Sequence, residues 1–197
     1  MADELSDSDI VAACKEGRED LYPKLIERHW AKAFQIAYGI LQDRQDAEEV
    51  VQDSFIKMYR VLQSFRGDAM FTTWMFRIVT NYAKNKYRWN RCRGSKVNVS
   101  INAGIEGKDG STLVPELPGS DEGPGATSSM RELEEGVWRH LEKITPLYRE
   151  VLIMRNVENR SYEDIAQILD CKIGTVKSRI ARGREELREL LEKNQLL

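Results

Sequence analysis

The sequence predicts an all-α protein built as two small helical domains joined by a flexible linker. Apolar residues recur at helical spacing from about residue 21 to residue 93, and again from Met130 to the C-terminus, with no convincing alternating run. Between them, residues 95–130 hold Gly104, Gly107, Gly110, Gly119, Gly123 and Gly125 together with Pro115, Pro118 and Pro124. A structureless stretch of that length is uncommon inside a compact domain, so it reads as a linker. The expected boundaries are 1–94, 95–130 and 131–197.

In the first domain, residues 21–41 place Leu25, Trp30, Phe34 and Ala37 or Tyr38 on one face. A second helix, 44–62, carries an apolar stripe of Ala47, Val50, Val51, Phe55, Met58 and Leu62. Its other face holds Glu48, Glu49, Gln52 and Asp53, either a solvated surface or an anionic docking face. Residues 64–69, SFRGDA, read as a loop with Gly67 permitting a sharp bend. A long helix follows over 71–93, with Met75, Ile78, Tyr82 and Ala83 on its buried side. Arg77, Asn81, Lys84 and Arg88 form an opposite stripe, a spacing that suits a row of phosphates and a base edge. Phe71, Trp74, Phe76, Tyr87 and Trp89 lie on the same helix. Rings beside cations suit single-stranded nucleic acid, although Trp74 and Phe76 also fit a core.

In the second domain, SYEDIAQILDCKIGTVKSRIARGR (161–184) reads as a helix-turn-helix. Ser161 and Asp164 have capping-box spacing. Tyr162, Ile165, Ala166 and Leu169 face inward, and Asp170 tolerates a left-handed turn. The second helix turns Ile173, Val176, Ile180 and Leu187 inward and leaves Lys177, Ser178, Arg179 and Arg182 outside. This is the geometry that lays a cationic helix in the major groove.

Composition is compatible with these readings without demanding them. The 197 residues are 41% hydrophobic with a net charge of −2, unusual for a nucleic-acid binder. The charge is unevenly placed. No acid occurs from Ala69 to Ile105, while Lys84, Lys86, Arg88, Arg91, Arg93 and Lys96 crowd there. Cys14, Cys92 and Cys171 have neither zinc nor disulfide spacing and read as reduced thiols. With no basic, apolar leader and no apolar run of membrane length, a cytoplasmic protein is expected.

Together the motifs resemble the extracytoplasmic-function (ECF, group IV) sigma factors, and the sigma-E-like group most closely. SYEDIAQILDCKIGTVKSRIARGREEL is similar to their region 4, and DAEEVVQDSFIKMYRVLQSFRGDAMFTTWMFRIVTNYAKN to their region 2. Both occur in family order across a linker, and the likeness covers nearly all of the chain outside it. The resemblance implies an alternative sigma factor, not an enzyme, that directs core RNA polymerase to promoters and begins their melting. It implies a surface of Asp46, Glu49, Val50, Gln52 and Asp53 for the clamp helices of the polymerase large subunit, with a further contact to the flap. The −10 element would meet Arg66, Asp68 and Phe71 in the loop that captures a flipped base. Arg77, Asn81, Lys84, Asn85 and Arg88 would hold the surrounding strand. The −35 element would meet Thr175, Lys177, Ser178, Arg179 and Arg182, partly through DNA shape. An anti-sigma factor in a stress or envelope response is the implied regulator; no cofactor, metal or membrane insertion is expected. Two departures stand out: Gly183 where the family usually has Ala, costing about 1 kcal/mol of helix propensity, and a small Ala181 where relatives carry a larger DNA-contacting residue.

Two other readings compete with this one. A conventional repressor or activator would dimerise and bind duplex DNA without polymerase. A nucleic-acid enzyme would need acid/base or metal-ligand groups, yet His29 and His140 lie in no such spacing, and the acids of the second helix have no matching motif.

Overall fold

The computed structural model describes residues 5–97 and 140–193, and in these every regular element is helical. Helix α1 (Asp7–Lys15) starts in a capping box, Ser6 accepting from the Asp9 amide while Asp9 accepts from the Ser6 amide. Helix α2 (Tyr22–Leu41) opens with Pro23 in its first turn, where the missing N–H costs nothing. It ends at Gln42, whose left-handed backbone (φ 56°) returns its N–H to the Tyr38 carbonyl. Helix α3 (Arg44–Val61) begins at Asp43, which caps the Asp46 amide at 2.8 Å. After a loop bent at Gly67 (φ 80°), helix α4 runs from Phe71 to Val97, three residues past the expected domain boundary. The rest of the expected linker lies outside the described residues, as does the helical pattern expected over 131–139.

Helices α2, α3 and α4 pack mutually into a bundle, with α1 laid against α2. The six apolar positions expected on α3 are all buried. On α2, Leu25, Phe34 and Ala37 are buried, while Trp30 and Tyr38 are half-buried. On α4, Met75 and Ala83 are buried as expected and Phe76 and Val79 join them, whereas Ile78 and Tyr82 are only half-buried. That helix packs on two sides, so its buried arc is wider than one stripe.

The second domain contributes α5 (Pro146–Leu152), a single π turn over Ile153–Val157, α6 (Tyr162–Leu169) and α7 (Ile173–Lys193). Ser161 and Asp164 form the expected capping box, and Asp170 takes the left-handed turn (φ 50°). Two expectations for the inward face are corrected. Ile173, at the first turn of α7, is exposed (39%). Ile168 is buried while Tyr162 and Leu169 are half-buried, because α6 packs on α4 as well as on α7. Gly183 is itself buried and explains its departure. A Cβ there would stand 3.0 Å from Leu152 Cδ1 and 3.1 Å from Tyr148 Cβ, so glycine lets α7 lie close on α5.

The two domains share one continuous apolar core. Helix α5 lies on α2, and α6 lies on α4. At the first contact Gly39 has no side chain where Ile153 enters: a Cβ would be 2.0 Å from Ile153 Cδ1.

Candidate nucleic-acid interface

Aromatic packing shapes the loop between α3 and α4. Phe71, at the start of α4, is buried; its ring lies 5.6 Å from His29, 5.9 Å from Trp74 and 6.3 Å, edge-on, from Phe65. Phe65 and Trp74 face each other at 4.9 Å, both half-buried. From α1, Lys15 donates to the Phe65 carbonyl, and Gln63 donates back to the Lys15 carbonyl at 3.2 Å. A loop held by its own rings and by α1 keeps its shape before any ligand arrives.

Beside these rings lies a cleft of about 480 Å³, lined by Phe65, Arg66, Asp68, Thr73, Trp74 and Arg77, with Gln167 and Asp170 closing one side. That volume falls within the usual range of small-molecule clefts. Arg66 and Asp68 are exposed at its rim. Phe71 differs. Its burial gives it a packing role behind Phe65 and Trp74, so it offers no ring to a base. The ring that the motif left unassigned is Phe65, whose signal was its place just before the Gly67 bend.

Along α4, Arg77, Asn81, Asn85 and Arg88 are exposed, and Arg88 approaches the Asn85 side-chain oxygen at 3.5 Å. Lys84 is less open (27%) because its Nζ lies 3.0 Å from the Glu150 carboxylate. On α7, Lys177, Ser178 and Arg182 are exposed and Thr175 is half-buried; Ser178 Oγ donates to the Thr175 carbonyl at 2.9 Å. Arg179, expected outside, is corrected to a half-buried residue 3.5 Å from the same Glu150. The structure thus gathers one cation from each expected DNA surface around one acid.

The acidic face of α3 is partly occupied from within the chain. Lys86 lies 3.2 Å from Asp46 and 2.7 Å from Glu49, and Asn90 donates to Asp46 at 2.6 Å. The Glu49 hydrogen bond, assisted by Asp46, holds the Lys86 ammonium above its ordinary pKa. Gln52 and Asp53 are exposed. Val50 is buried, at 4% exposure, and so belongs to the core rather than to a docking surface.

His29 plays a structural part. His29 is buried against Asp7 (2.7 Å), and burial lowers its pKa despite that carboxylate. Cys14 is buried, Cys171 half-buried and Cys92 exposed. Among the described residues, no cluster of His, Cys, Asp or Glu could hold a metal ion, and no helix is long and apolar enough to cross a membrane.

Comparison with known proteins assigns both halves. Residues 25–92 match the model for sigma-70 region 2, and residues 135–187 match that for sigma-70 region 4. The ECF RNA polymerase sigma-E factor of Haemophilus influenzae is 32% identical over 192 residues, 98% of each chain. That of Escherichia coli K12 is 33% identical over 95% of each chain. A solved structure of the sigma factor RpoE in complex with the anti-sigma factor NepR from Bartonella quintana superposes with a TM-score of 0.63 at 27% identity, over 87% of this chain and 96% of that one. With likeness of this extent at the level of sequence, the chain belongs to the ECF RNA polymerase sigma factors.

Proposed function

We propose that this chain is a dissociable transcription initiation factor that brings core RNA polymerase to a specific set of promoters. Residues 1–94 form the unit that docks on polymerase and takes the −10 element, and residues 131–197 the unit that takes the −35 element. The observation that carries this reading is the cleft beside Phe65 and Trp74 at the head of the α4 cation stripe. An extruded base stacks on the rings, while Arg66, Arg77 and Asn81 hold its neighbours. Extrusion costs a few kcal/mol, which the prearranged Phe65 and Trp74 rings and the polymerase contacts offset. Lys177, Ser178 and Arg182 meet the duplex at −35.

Each unit alone offers few cations against physiological salt. Polymerase supplies the missing affinity by presenting the two weak sites at a fixed spacing. The open part of the acidic face, Gln52 and Asp53, is the first contact with polymerase, and Glu49 follows by exchanging Lys86 for a partner cation. An anti-sigma factor covering these surfaces is the regulator, consistent with the complex in which the Bartonella relative was solved. The chain works in the cytoplasm and is no enzyme.

Gel filtration of the full chain with bacterial core RNA polymerase at physiological salt tests the reading. A stoichiometric complex is expected. No complex, together with a homodimer that binds duplex DNA by itself, would favour a conventional repressor.

A further inference from the structure

Helix α1 lies ahead of residues 25–92, the stretch that matches sigma-70 region 2, yet it reaches the loop that shapes the cleft. Lys15, half-buried in the last turn of α1, donates from Nζ to the Phe65 carbonyl. The same Nζ lies 5.8 Å from the centre of the Phe65 ring. The Phe65 amide donates to the Leu62 carbonyl at 3.1 Å, so both backbone polar groups of this residue are engaged. Its ring meets Trp74 at 4.9 Å as well as the Lys15 ammonium. Immediately after it the chain is exposed at Arg66, Gly67 and Asp68 and bends at Gly67 (φ 80°).

We propose that Lys15 is a positioning residue for base capture: it fixes Phe65 in the orientation on which an extruded base stacks, without touching DNA itself. The proposal rests on the reading of the Phe65–Trp74 cleft given above. A stacking platform needs both its backbone and its ring held, and one ammonium reaches both. Its bond to the carbonyl is charge-assisted and so stronger than a neutral one. Its attraction to the ring face acts on the side chain. A ring left free to turn must be ordered when the base arrives, and that ordering subtracts from affinity.

The rest of α1 is secured without Lys15. Asp7, near its other end, pairs with Arg28 at 2.6 Å and His29 at 2.7 Å, both on α2. Ile10, Val11 and Cys14 are buried along its inner face. The C-terminal end is tied in turn, since Gln63 donates to the Lys15 carbonyl at 3.2 Å. That bond uses the Lys15 backbone and survives a change of side chain. Replacing the ammonium therefore frees Phe65 while leaving the helix docked.

The test uses holoenzyme assembled from core polymerase and the full chain, wild type or variant. The probe is a single-stranded −10 oligonucleotide from a promoter that the wild-type holoenzyme melts, intact or abasic at each position in turn. Wild type should prefer the intact strand about tenfold at one position, the scale of a stacked base. Lys15→Met, which keeps an apolar stem, should reduce that preference about threefold or more, the scale of ordering one side chain on binding. It should bind the abasic strand and core polymerase as wild type does. Lys15→Arg keeps a cation and a donor and should retain the preference. A full preference in Lys15→Met, or an equal loss for intact and abasic strands, would overturn the proposal alone. So would a loss in Lys15→Arg as large as in Lys15→Met, which would make the effect one of packing. Should Lys15→Met fail to fold, Lys15→Ala is read in the same way. A wild-type holoenzyme with no preference at any position would overturn the base-capture reading itself, and this proposal with it.

Discussion

Gly183 lies against Leu152, with room for a hydrogen between the two helices and little else: a Cβ would come within 3.0 Å of Leu152 Cδ1. The residue that looks like a helix weakness by propensity is a packing requirement. Gly183→Ala gains about 1 kcal/mol of helix propensity and loses roughly 2 kcal/mol to overpacking. A net loss of about 1 kcal/mol is expected in denaturant unfolding, and a larger loss for Gly183→Val. A rise in stability for the alanine variant would mean that α7 can move away from α5 without cost.

The capping box at Ser161 fixes where the helix-turn-helix begins. Ser161 Oγ accepts from the Asp164 amide at 3.0 Å, and Asp164 accepts from the Ser161 amide at 3.3 Å. Ser161→Ala should destabilise region 4 by about 1 kcal/mol and weaken duplex binding most at elevated temperature. Equal loss of duplex binding at low and high temperature would point to a direct contact instead.

His29 gives region 2 a pH dependence of defined sign. The ring faces Asp7 of α1, Arg28 and Lys32 of its own helix, and the Phe71 ring of α4; burial, the largest effect, holds its pKa below the ordinary value. The unfolded chain takes up a proton near pH 6.5 while the folded chain does not until lower pH. Stability is therefore complete above that value and falls as pH drops through the window beneath it. Denaturant midpoints from about pH 7.5 to about pH 5.5 should decline, and His29→Gln should flatten the slope. A slope that survives the substitution would assign it to another group.

The acidic face separates into engaged and open parts, and the variants should follow that division. Asp53→Lys, an exposed change, should weaken core polymerase binding with the fold intact. Glu49→Lys should weaken it more, because it also repels Lys86, now 2.7 Å away. Unchanged co-elution of Asp53→Lys with polymerase would make that face merely solvated.

Local features of this chain could be read in advance because local chemistry decides them. The Ser161–Asp164 cap, the left-handed Asp170 and the α3 stripe each depend on residues within one or two turns. The place of Glu150 could not. Its partners Lys84 and Arg179 are far away in sequence, and on α5 alone it reads as an ordinary surface acid. The same limit applies to Ile168, buried only because α6 meets α4, and to Gly39, whose missing side chain matters only once Ile153 is placed against it. Phe71 proved to be a packing residue and Phe65 the ring beside the cleft for a subtler reason. Both flank the Gly67 bend, and only the path of the loop decides which ring faces the core.

The central claim is that region 2 opens promoter DNA by holding an extruded base in the cleft beside Phe65 and Trp74. Permanganate reactivity of −10 thymines, measured on holoenzyme with wild-type chain, Phe65→Ala and the Asn81→Ala, Lys84→Ala double variant, tests it directly. The account predicts strong reactivity for the wild type and a loss of about tenfold or more in the variants, the scale of a lost stacking contact of 1–3 kcal/mol, with core binding retained. Full reactivity in both variants would contradict it.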